Sequence, residues 1–398
     1  MTLAFEELRL RRAKALFAYW GKNQLIFENY RTGAAVAAAP VTAEVLHHFE
    51  RWSSPAHLYD RMLGYTRSSL DQALSGLVKA GLLLRKGSRE AREDEKLAGI
   101  WASWLPHAGI FHFATRDAPY LASDVRITRL LRRYLKESRQ PRFFKRPEKI
   151  FRQLARPSSE NSEFLDTLLR RRTHREFSSE PLSLDSLSRL LFYTWGVTGY
   201  LCSSPLGKLP LKTSPSAGAR QAIEVYVVAL RVRGLRRGLY HYAPDRHRLE
   251  KLAVSSGRKR AADYCADQDW VRNAAALFIM TAVWERSMWK YRFSRAYRTI
   301  LLDAGHICQT FCLLATHLRL APFCTAALKD SLIEKDLGID GLAESVLYVA
   351  GAGVPRRTDV QRWSSNPRLA PHLRMLGLED PGSQFSTVRG IGESTTAK

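Results

Sequence analysis

Apolar positions follow helical spacing in some stretches of the chain and strand-like spacing in others. Ser68–Ala80 and Leu184–Thr194 repeat apolar residues every three or four positions, which predicts two amphipathic helices. Glu224–Val232 is rich in β-branched residues and predicts a strand, and Ala275–Trp284 is apolar throughout, as in a strand buried on both faces. Helices alternate with strands in the second half of the chain, which predicts an α+β domain with a mixed sheet flanked by helices.

The N-terminal part predicts a separate small unit. Two short strands meet at a turn around Gly33, three helices follow between Thr42 and Ala80, and a last strand begins at Leu82. This order of elements is winged-helix-like, and such a unit either reads DNA or docks a peptide along a sheet edge. The last of the three helices carries few positive charges, which favours peptide docking and leaves a packing module without a ligand as an alternative.

Composition shifts divide the chain of 398 residues into four predicted parts. A winged-helix-like domain spans residues 1–110, a basic connector 111–158, and the α+β domain 159–360. Residues 361–398 form a C-terminal extension whose small, polar end is predicted to be disordered.

Basic residues outnumber acidic ones by 62 to 38, a formal net charge of +24. Such a surplus attracts nucleic acid, anionic lipid or a phosphorylated cofactor, and the total alone does not choose among them. The longest apolar run, Ala274–Trp284, is shorter than the ~20 residues that cross a bilayer, so no membrane association is expected.

The chain has five cysteines and no CxxC pair, so no disulfide framework is predicted. With no signal-peptide pattern at the N-terminus, we expect a cytoplasmic protein. Cys308 and Cys312 lie one helical turn apart, but no second pair accompanies them. They are therefore expected to be small core residues, and no metal site is predicted.

Three segments carry candidate chemistry, and each has a plainer interpretation. Arg171–Phe177 alternates arginines with a hydroxyl and could converge on a phosphate, or could be a solvated helix end. Ser214–Ala219 has small residues that let a backbone approach a flat ligand, or it is only a turn. Lys290 follows the buried strand among arginines that would depress its ammonium pKa, as a general base requires, or it is one more exposed basic residue.

The order of these segments resembles that of the nitroreductase-like flavoproteins. The chain carries in succession RRRTHREF, PSAGA, EVYVV, GLYHY, KYRFSRAYRTILLDAGHICQTFCLLATHL, LRLAPF and VLYVAGAG. The likeness covers Glu163–Pro355 and is greatest to the SagB-type dehydrogenases of thiazole/oxazole peptide maturation. It implies a nitroreductase-like FMN domain at 159–360, and the N-terminal unit looks like a leader-peptide-recognition winged helix.

The resemblance implies FMN as cofactor, bound at a homodimer interface. Three residues match the family's phosphate- and ribityl-binding motif, with Arg172 beside them: Arg171, Thr173 and Arg175. Four match the loop along the isoalloxazine: Pro215, Ser216, Ala217 and Gly218. Arg356 and Arg357 are further phosphate candidates, and Lys290 and Tyr291 match the pair assigned to catalysis in the azoline-oxidising branch.

The implied activity is oxidation of azoline heterocycles to azoles in a ribosomally made precursor peptide, with a cyclodehydratase complex as a further partner. Lys290 would take the Cα proton, Tyr291 would relay it or position the ring, and a hydride would pass to the flavin. One alternative on the same fold is an NAD(P)H-dependent nitro or quinone reductase. A distant alternative is a winged-helix DNA-binding redox regulator. Because this alternative ranks last, nucleic acid is not an expected partner.

Overall fold

The computed structural model describes residues 8–21, 23–118, 124–137, 162–203, 206–252 and 257–356. Its helices are α1 (Val41–His48), α2 (Pro55–Tyr59), α3 (Arg67–Lys79), α4 (Arg89–Ile100), α5 (Pro106–Ala114), α6 (Asp124–Glu137), α7 (Glu163–Arg170), α8 (Leu184–Trp195), α9 (Arg258–Tyr264), α10 (Trp284–Met288), α11 (Ala296–His317) and α12 (Asp330–Leu337). Its strands are β1 (Leu10–Arg12), β2 (Leu16–Gly21), β3 (Gln24–Asn29), β4 (Ala34–Ala37), β5 (Leu83–Arg85), β6 (Gly199–Ser203), β7 (Gly207–Leu211), β8 (Ile223–Ala229), β9 (Gly238–Ala243), β10 (Arg248–Lys251), β11 (Ala276–Val283), β12 (Ala321–Thr325) and β13 (Glu344–Gly353).

The chain separates into two compact units. The first comprises residues 1–116 and 284–299, and the second comprises residues 117–283 and 300–398. The predicted C-terminal extension and much of the predicted connector lie outside the described residues. The short segment 284–299 belongs with the first unit, although the sequence places it within the 159–360 domain.

The first unit contains the predicted hairpin, three helices and trailing strand in the predicted order. The hairpin is β3–β4, and Gly33 adopts φ +71° in its turn, a backbone conformation that suits glycine. β2 adds a third antiparallel strand beside β3, and β5 pairs with β1 rather than with the hairpin. Phe49, Leu58 and Leu74 are among the buried residues at the centre of this unit.

The second unit is built on a six-stranded sheet in the order β10-β9-β8-β11-β13-β12. This sheet with its flanking helices confirms the predicted α+β class, but the sheet is antiparallel rather than mixed as the sequence predicts. Each neighbouring pair is antiparallel, and the parallel pairing recorded in the described part of the chain is a single bridge between Leu182 and Val232. β11 is central and almost completely buried, as its uniformly apolar sequence predicts.

Alternate side chains of β11 pack against helices on opposite faces of the sheet. Phe278 stacks on Trp195 of α8 with ring centroids 5.5 Å apart, and lies 4.8 Å from Phe311 of α11. Its neighbours Leu277 and Ile279 belong to the buried cluster that includes side chains of α9 and α12. The sheet is therefore covered by helices on both faces.

The helix α11 is long and apolar enough to cross a bilayer by length and composition, and 50% of its most apolar stretch is buried inside the protein. The contact between Phe311 and Phe278 accounts for part of that apolar surface by packing within the second unit. By this contact, α11 is a core helix of the sheet domain.

Two glycines of β13 allow aromatic rings to lie directly on the strand. A Cβ atom at Gly351 would lie 2.3 Å from Cζ of Phe323, and one at Gly353 would lie 2.6 Å from Cδ1 of Phe177. Both rings are buried. Phe177 ends the arginine-rich segment, so this close approach places that segment against the sheet.

Candidate functional site

The arginine-rich segment leaves α7 and is tied to two strands of the sheet. The His174 N–H donates to the Pro322 carbonyl at 2.9 Å, and the Ser178 N–H donates to the Val354 carbonyl at 2.8 Å. The Phe177 ring packs on Phe323 with centroids 5.8 Å apart. The segment is thus fixed beside β12 and the end of β13.

The side chains of this segment differ in what they contact. Arg172 turns back and donates to the carbonyls of Leu169 (3.0 Å) and Arg171 (2.6 Å), which caps the C-terminus of α7. The Arg175 guanidinium lies 5.6 Å from the centre of the Trp270 ring, and both Arg175 and Thr173 are exposed. Arg171, Thr173 and Arg175 therefore present two guanidinium groups and a hydroxyl that can bind a phosphate.

Arg356, which follows β13, contacts the same segment. Its Nε donates to the Phe177 carbonyl at 3.4 Å, and its Nη1 lies 3.6 Å from a carboxylate oxygen of Glu176. The structure thus brings Arg356 to the C-terminal end of the arginine-rich segment. Arg357 lies outside the described residues.

His174 sits within this positive segment. Burial lowers the pKa of His174 to about 4, and the charges of Arg171 and Arg172 act in the same direction. The imidazole is therefore neutral near pH 7, and the positive charge of the segment comes from its arginines.

The loop before β8 is held to α11 by hydrogen bonds. The Ala217 N–H donates to both carboxylate oxygens of Asp303, each at 3.2 Å, and the Ser214 and Thr310 hydroxyls lie 2.7 Å apart. The Ser216 hydroxyl accepts the Gln221 N–H at 3.0 Å. These contacts fix the backbone of the loop that contains Pro215–Gly218.

The backbone of this loop is strained. Gly218 has φ +60°, and two residues with side chains also take positive values, Ala219 at +54° and Gln221 at +48°. Non-glycine residues in this region cost of order 1–3 kcal/mol each and cluster at functional sites. Strain of this kind motivates the hypothesis that the loop binds a ligand.

Asp303 is a site residue that the sequence analysis missed. Burial raises the pKa of its carboxyl, and hydrogen bonds from Ser216 and Ala217 together with nearby His306 oppose that rise. The available signal was an acidic residue within a mostly apolar helical stretch, ILLDAGHICQ. Without the loop beside it, that signal had no assigned partner.

The two candidate flavin-binding regions lie at different points along α11. Asp303 binds the small-residue loop through the Ala217 N–H. Arg171, from the arginine-rich segment, acts electrostatically on Cys312 further along the helix. Nine residues separate these helix positions in the sequence, or about 14 Å at 1.5 Å per residue. The helix therefore connects both regions within the second unit.

The predicted catalytic pair belongs to the first unit. Lys290 is exposed, and its Nζ lies 5.4 Å from the centre of the Tyr291 ring. The Tyr291 carbonyl accepts the indole N–H of Trp104 at 3.1 Å, and the Ser294 hydroxyl accepts the Leu105 N–H at 2.7 Å. The connection between α4 and α5 thus holds the segment that carries the pair.

An aromatic cluster stabilises the same segment. Trp284 stacks on Tyr297 with centroids 5.2 Å apart, and Trp101 lies 5.5 Å from Trp284. The ring nitrogen Nδ1 of His112 lies 3.1 Å from the Tyr297 hydroxyl. Burial lowers the pKa of His112 to about 3, with a smaller contribution from Arg116, so this imidazole is neutral.

The part of the chain that contains the six-stranded sheet is similar to known proteins. The model of the nitroreductase family matches residues 168–354. MJ1384 of Methanocaldococcus jannaschii, named as a nitroreductase, is 33% identical over 183 residues, which are 46% of this chain and 88% of that protein.

Two further relatives are named for processing roles. The trifolitoxin-processing protein TfxB of Rhizobium leguminosarum bv. trifolii is 34% identical over 170 residues, which are 42% of this chain and 46% of TfxB. The microcin B17-processing protein McbC of Escherichia coli is 26% identical over 173 residues, which are 42% of this chain and 61% of McbC. By its family match and its likeness to MJ1384 over most of that protein, the chain belongs to the nitroreductase family.

Proposed function

We propose that this protein is an FMN-dependent dehydrogenase that oxidises azoline heterocycles to azoles in a ribosomally made precursor peptide. Its family is one of flavin-binding oxidoreductases. The observation that carries the finer proposal is the Lys290–Tyr291 pair on a segment that hydrogen bonds from Trp104 and Leu105 fix in place. The names of TfxB and McbC describe processing of trifolitoxin and microcin B17, which supports a peptide substrate over a small molecule.

The residues of the second unit fit FMN. Arg171, Thr173, Arg175 and Arg356 would hold the phosphate, because guanidinium forks and a hydroxyl match its oxygens. The small side chains of Pro215–Gly218 leave the backbone of this loop open to a flat ring. When bound, FMN would supply a hydride acceptor, with dioxygen as the proposed terminal oxidant.

The reaction removes two hydrogens from the Cα–Cβ bond of the azoline. Lys290 would take the Cα proton, since the adjacent imine and carbonyl acidify that position. The second hydrogen leaves Cβ with its electron pair, and a carbon–carbon double bond forms. Tyr291 would relay the proton or position the heterocycle. The fixed position of the segment that carries Lys290 favours this proton transfer, because a base must be held within hydrogen-bond reach of the proton that it takes.

Replacement of Lys290 tests the assigned base. We expect Lys290→Ala to lower azoline oxidation about 10²–10⁴-fold, the usual contribution of a positioned base. Arg292→Ala is the matched control, since Arg292 is an exposed cation on the same segment. Oxidation would be followed as the loss of two hydrogens from a synthetic azoline peptide by mass spectrometry. Near-normal turnover of the FMN-loaded Lys290→Ala protein would remove Lys290 from the mechanism.

The precursor peptide would dock on the first unit by adding a strand to β2. β2 is an edge strand of its sheet, and its Tyr19 and Trp20 side chains are exposed, Trp20 by 70%. Trp20→Ala should weaken binding of a fluorescent precursor peptide about tenfold or more, as loss of an aromatic anchor does. Tyr200→Ala, exposed on β6 of the second unit, is the control. Equal affinities of both variants would contradict this docking site.

Three further properties belong to the same proposal. They are a homodimer that completes the flavin site, association with a cyclodehydratase complex, and a cytoplasmic location. Size-exclusion chromatography with light scattering tests the first, and co-purification with the cyclodehydratase tests the second. A monomer that retains FMN and oxidises azolines would contradict the homodimer.

A second candidate function is an NAD(P)H-dependent reductase of nitro or quinone compounds. The likeness to MJ1384 favours it, because that protein is named as a nitroreductase. A reductase of this kind needs no protein base, so its flavin should be bleached rapidly by NAD(P)H in both the unaltered and the Lys290→Ala protein. Slow bleaching by NAD(P)H, together with azoline oxidation that depends on Lys290, would exclude it.

A further inference from the structure

Three of the five cysteines meet in the second unit. Cys308 and Cys312 lie on α11, and Cys324 lies on β12. Their three Sγ atoms all lie within 4.8 Å of one another. Cys308 and Cys312 are buried and Cys324 is half-buried, so one side of the cluster is open to solvent.

The sheet register explains why these cysteines converge. Cys324 is paired with Ala350 of β13, and Ala350 is paired with Phe278 of β11. Residues directly opposite each other share one face of a sheet, so Cys324 points to the face on which Phe278 contacts α11. Cys308 and Cys312, four residues apart, share one side of that helix.

A polar group and a charged group act on the cluster. The Tyr348 hydroxyl hydrogen-bonds to Cys324, and the Arg171 guanidinium acts electrostatically on both Cys312 and Cys324. A cation in this place can offset negative charge on a metal–thiolate group.

We propose that Cys308, Cys312 and Cys324 bind one Zn²⁺ ion as three thiolates, with water in the fourth position. Three sulfurs up to 4.8 Å apart surround a centre about 2.8 Å from each, and a shift of about half an ångström gives the Zn–S distance of about 2.3 Å. Each thiol releases its proton to solvent on binding. The Zn²⁺–trithiolate group carries one negative charge, which Arg171 offsets. The site does not depend on the proposed azoline chemistry.

Metal binding by the purified full-length protein tests the site directly. The protein would be treated with a chelator and titrated with ZnCl2 against a chromogenic competitor, and separately with CoCl2. We expect one Zn²⁺ per chain and a thiolate-to-Co²⁺ charge-transfer band. Cys312→Ser should remove the band and weaken Zn²⁺ binding about 100-fold. The controls Cys202→Ser and Cys265→Ser should keep both, since these cysteines lie outside the cluster.

The Co²⁺ spectrum of the unaltered chain keeps the test decisive even if Cys312→Ser fails to fold. Absence of the charge-transfer band would overturn the proposal. Zn²⁺ affinity that is equal in Cys312→Ser and Cys202→Ser would also overturn it. Mass mapping of the purified protein gives a third outcome that contradicts a trithiolate site, a disulfide between two of the three cysteines.

Discussion

The carboxylate of Asp303 accepts the backbone N–H of Ala217 through both of its oxygens, each at 3.2 Å. This contact joins the first turns of α11 to the loop in which Ala219 and Gln221 hold strained conformations. A charged acceptor strengthens such a bond, and the strain persists only while the surroundings hold it. Asp303 is therefore a positioning residue for the proposed flavin loop.

Asp303→Asn should weaken FMN binding about tenfold. An amide offers one oxygen in place of two and loses the negative charge, and hydrogen bonds to charged groups contribute about 1.5–3 kcal/mol. Gln309→Ala is the control, because Gln309 is exposed on the same helix. The dissociation constant would be measured by quenching of FMN fluorescence. Equal constants for the two variants would show that the loop does not depend on Asp303.

Gly351→Ala should destabilise the second unit by about 1–3 kcal/mol, the usual cost of overpacking a core. The added methyl would lie 2.3 Å from the Phe323 ring, which is itself fixed between Phe177 and Trp270. At Gly305 of α11 an added Cβ meets nothing within 4 Å, so Gly305→Ala should preserve or raise stability. Urea unfolding of both variants checks this. A Gly351→Ala protein as stable as Gly305→Ala would contradict the packing.

The neutral state of His112 predicts a pH dependence of the first unit. Its pKa is about 3 in the folded chain because of burial, below the ordinary value of 6.5. A lowered histidine pKa means that the unfolded chain takes up the proton first. Stability is therefore lost as the pH falls from about 6.5 towards 3, by at most about 1.4 kcal/mol per pH unit from this group.

His112→Phe should reduce that loss, since phenylalanine suits the aromatic surroundings and does not titrate. His48 also belongs to the first unit, its pKa is lowered by burial, and it contributes a slope of the same sign that remains in the variant. The informative quantity is thus the difference between the two stability–pH curves, obtained by urea unfolding from pH 7 to pH 4. Parallel curves would contradict the assignment to His112.

The sequence predicts best those elements whose pattern is set locally. The apolar run Ala275–Trp284 forms β11, because a strand buried on both faces needs apolar residues at every position. The segment Leu184–Thr194 forms α8, because a helix buried on one side has apolar residues every three or four positions. β1 has three residues, too few to show a period, and the sequence predicts no strand there. It pairs with β5, which lies more than 70 residues away, so its existence depends on tertiary pairing.

The candidate site shows the same division. The arginine segment and the small-residue loop are continuous in sequence and could be identified from their residue types. The hydrogen bond of Trp104 to the Tyr291 carbonyl joins positions far apart in the chain, so no local pattern reveals that Lys290 belongs with the first unit. Cys324 joins Cys308 and Cys312 only through the packing of α11 on the sheet, so the expectation of no metal site rested on an incomplete ligand set.

Anaerobic mixing of the FMN-loaded protein with a synthetic azoline peptide tests the proposed dehydrogenation most directly. The flavin absorbance should bleach with one equivalent of peptide, and the peptide should lose two hydrogens in its mass, with both changes much slower in Lys290→Ala. A flavin that stays oxidised with the azoline peptide but is bleached by NAD(P)H, with no change in peptide mass, would contradict azoline dehydrogenation.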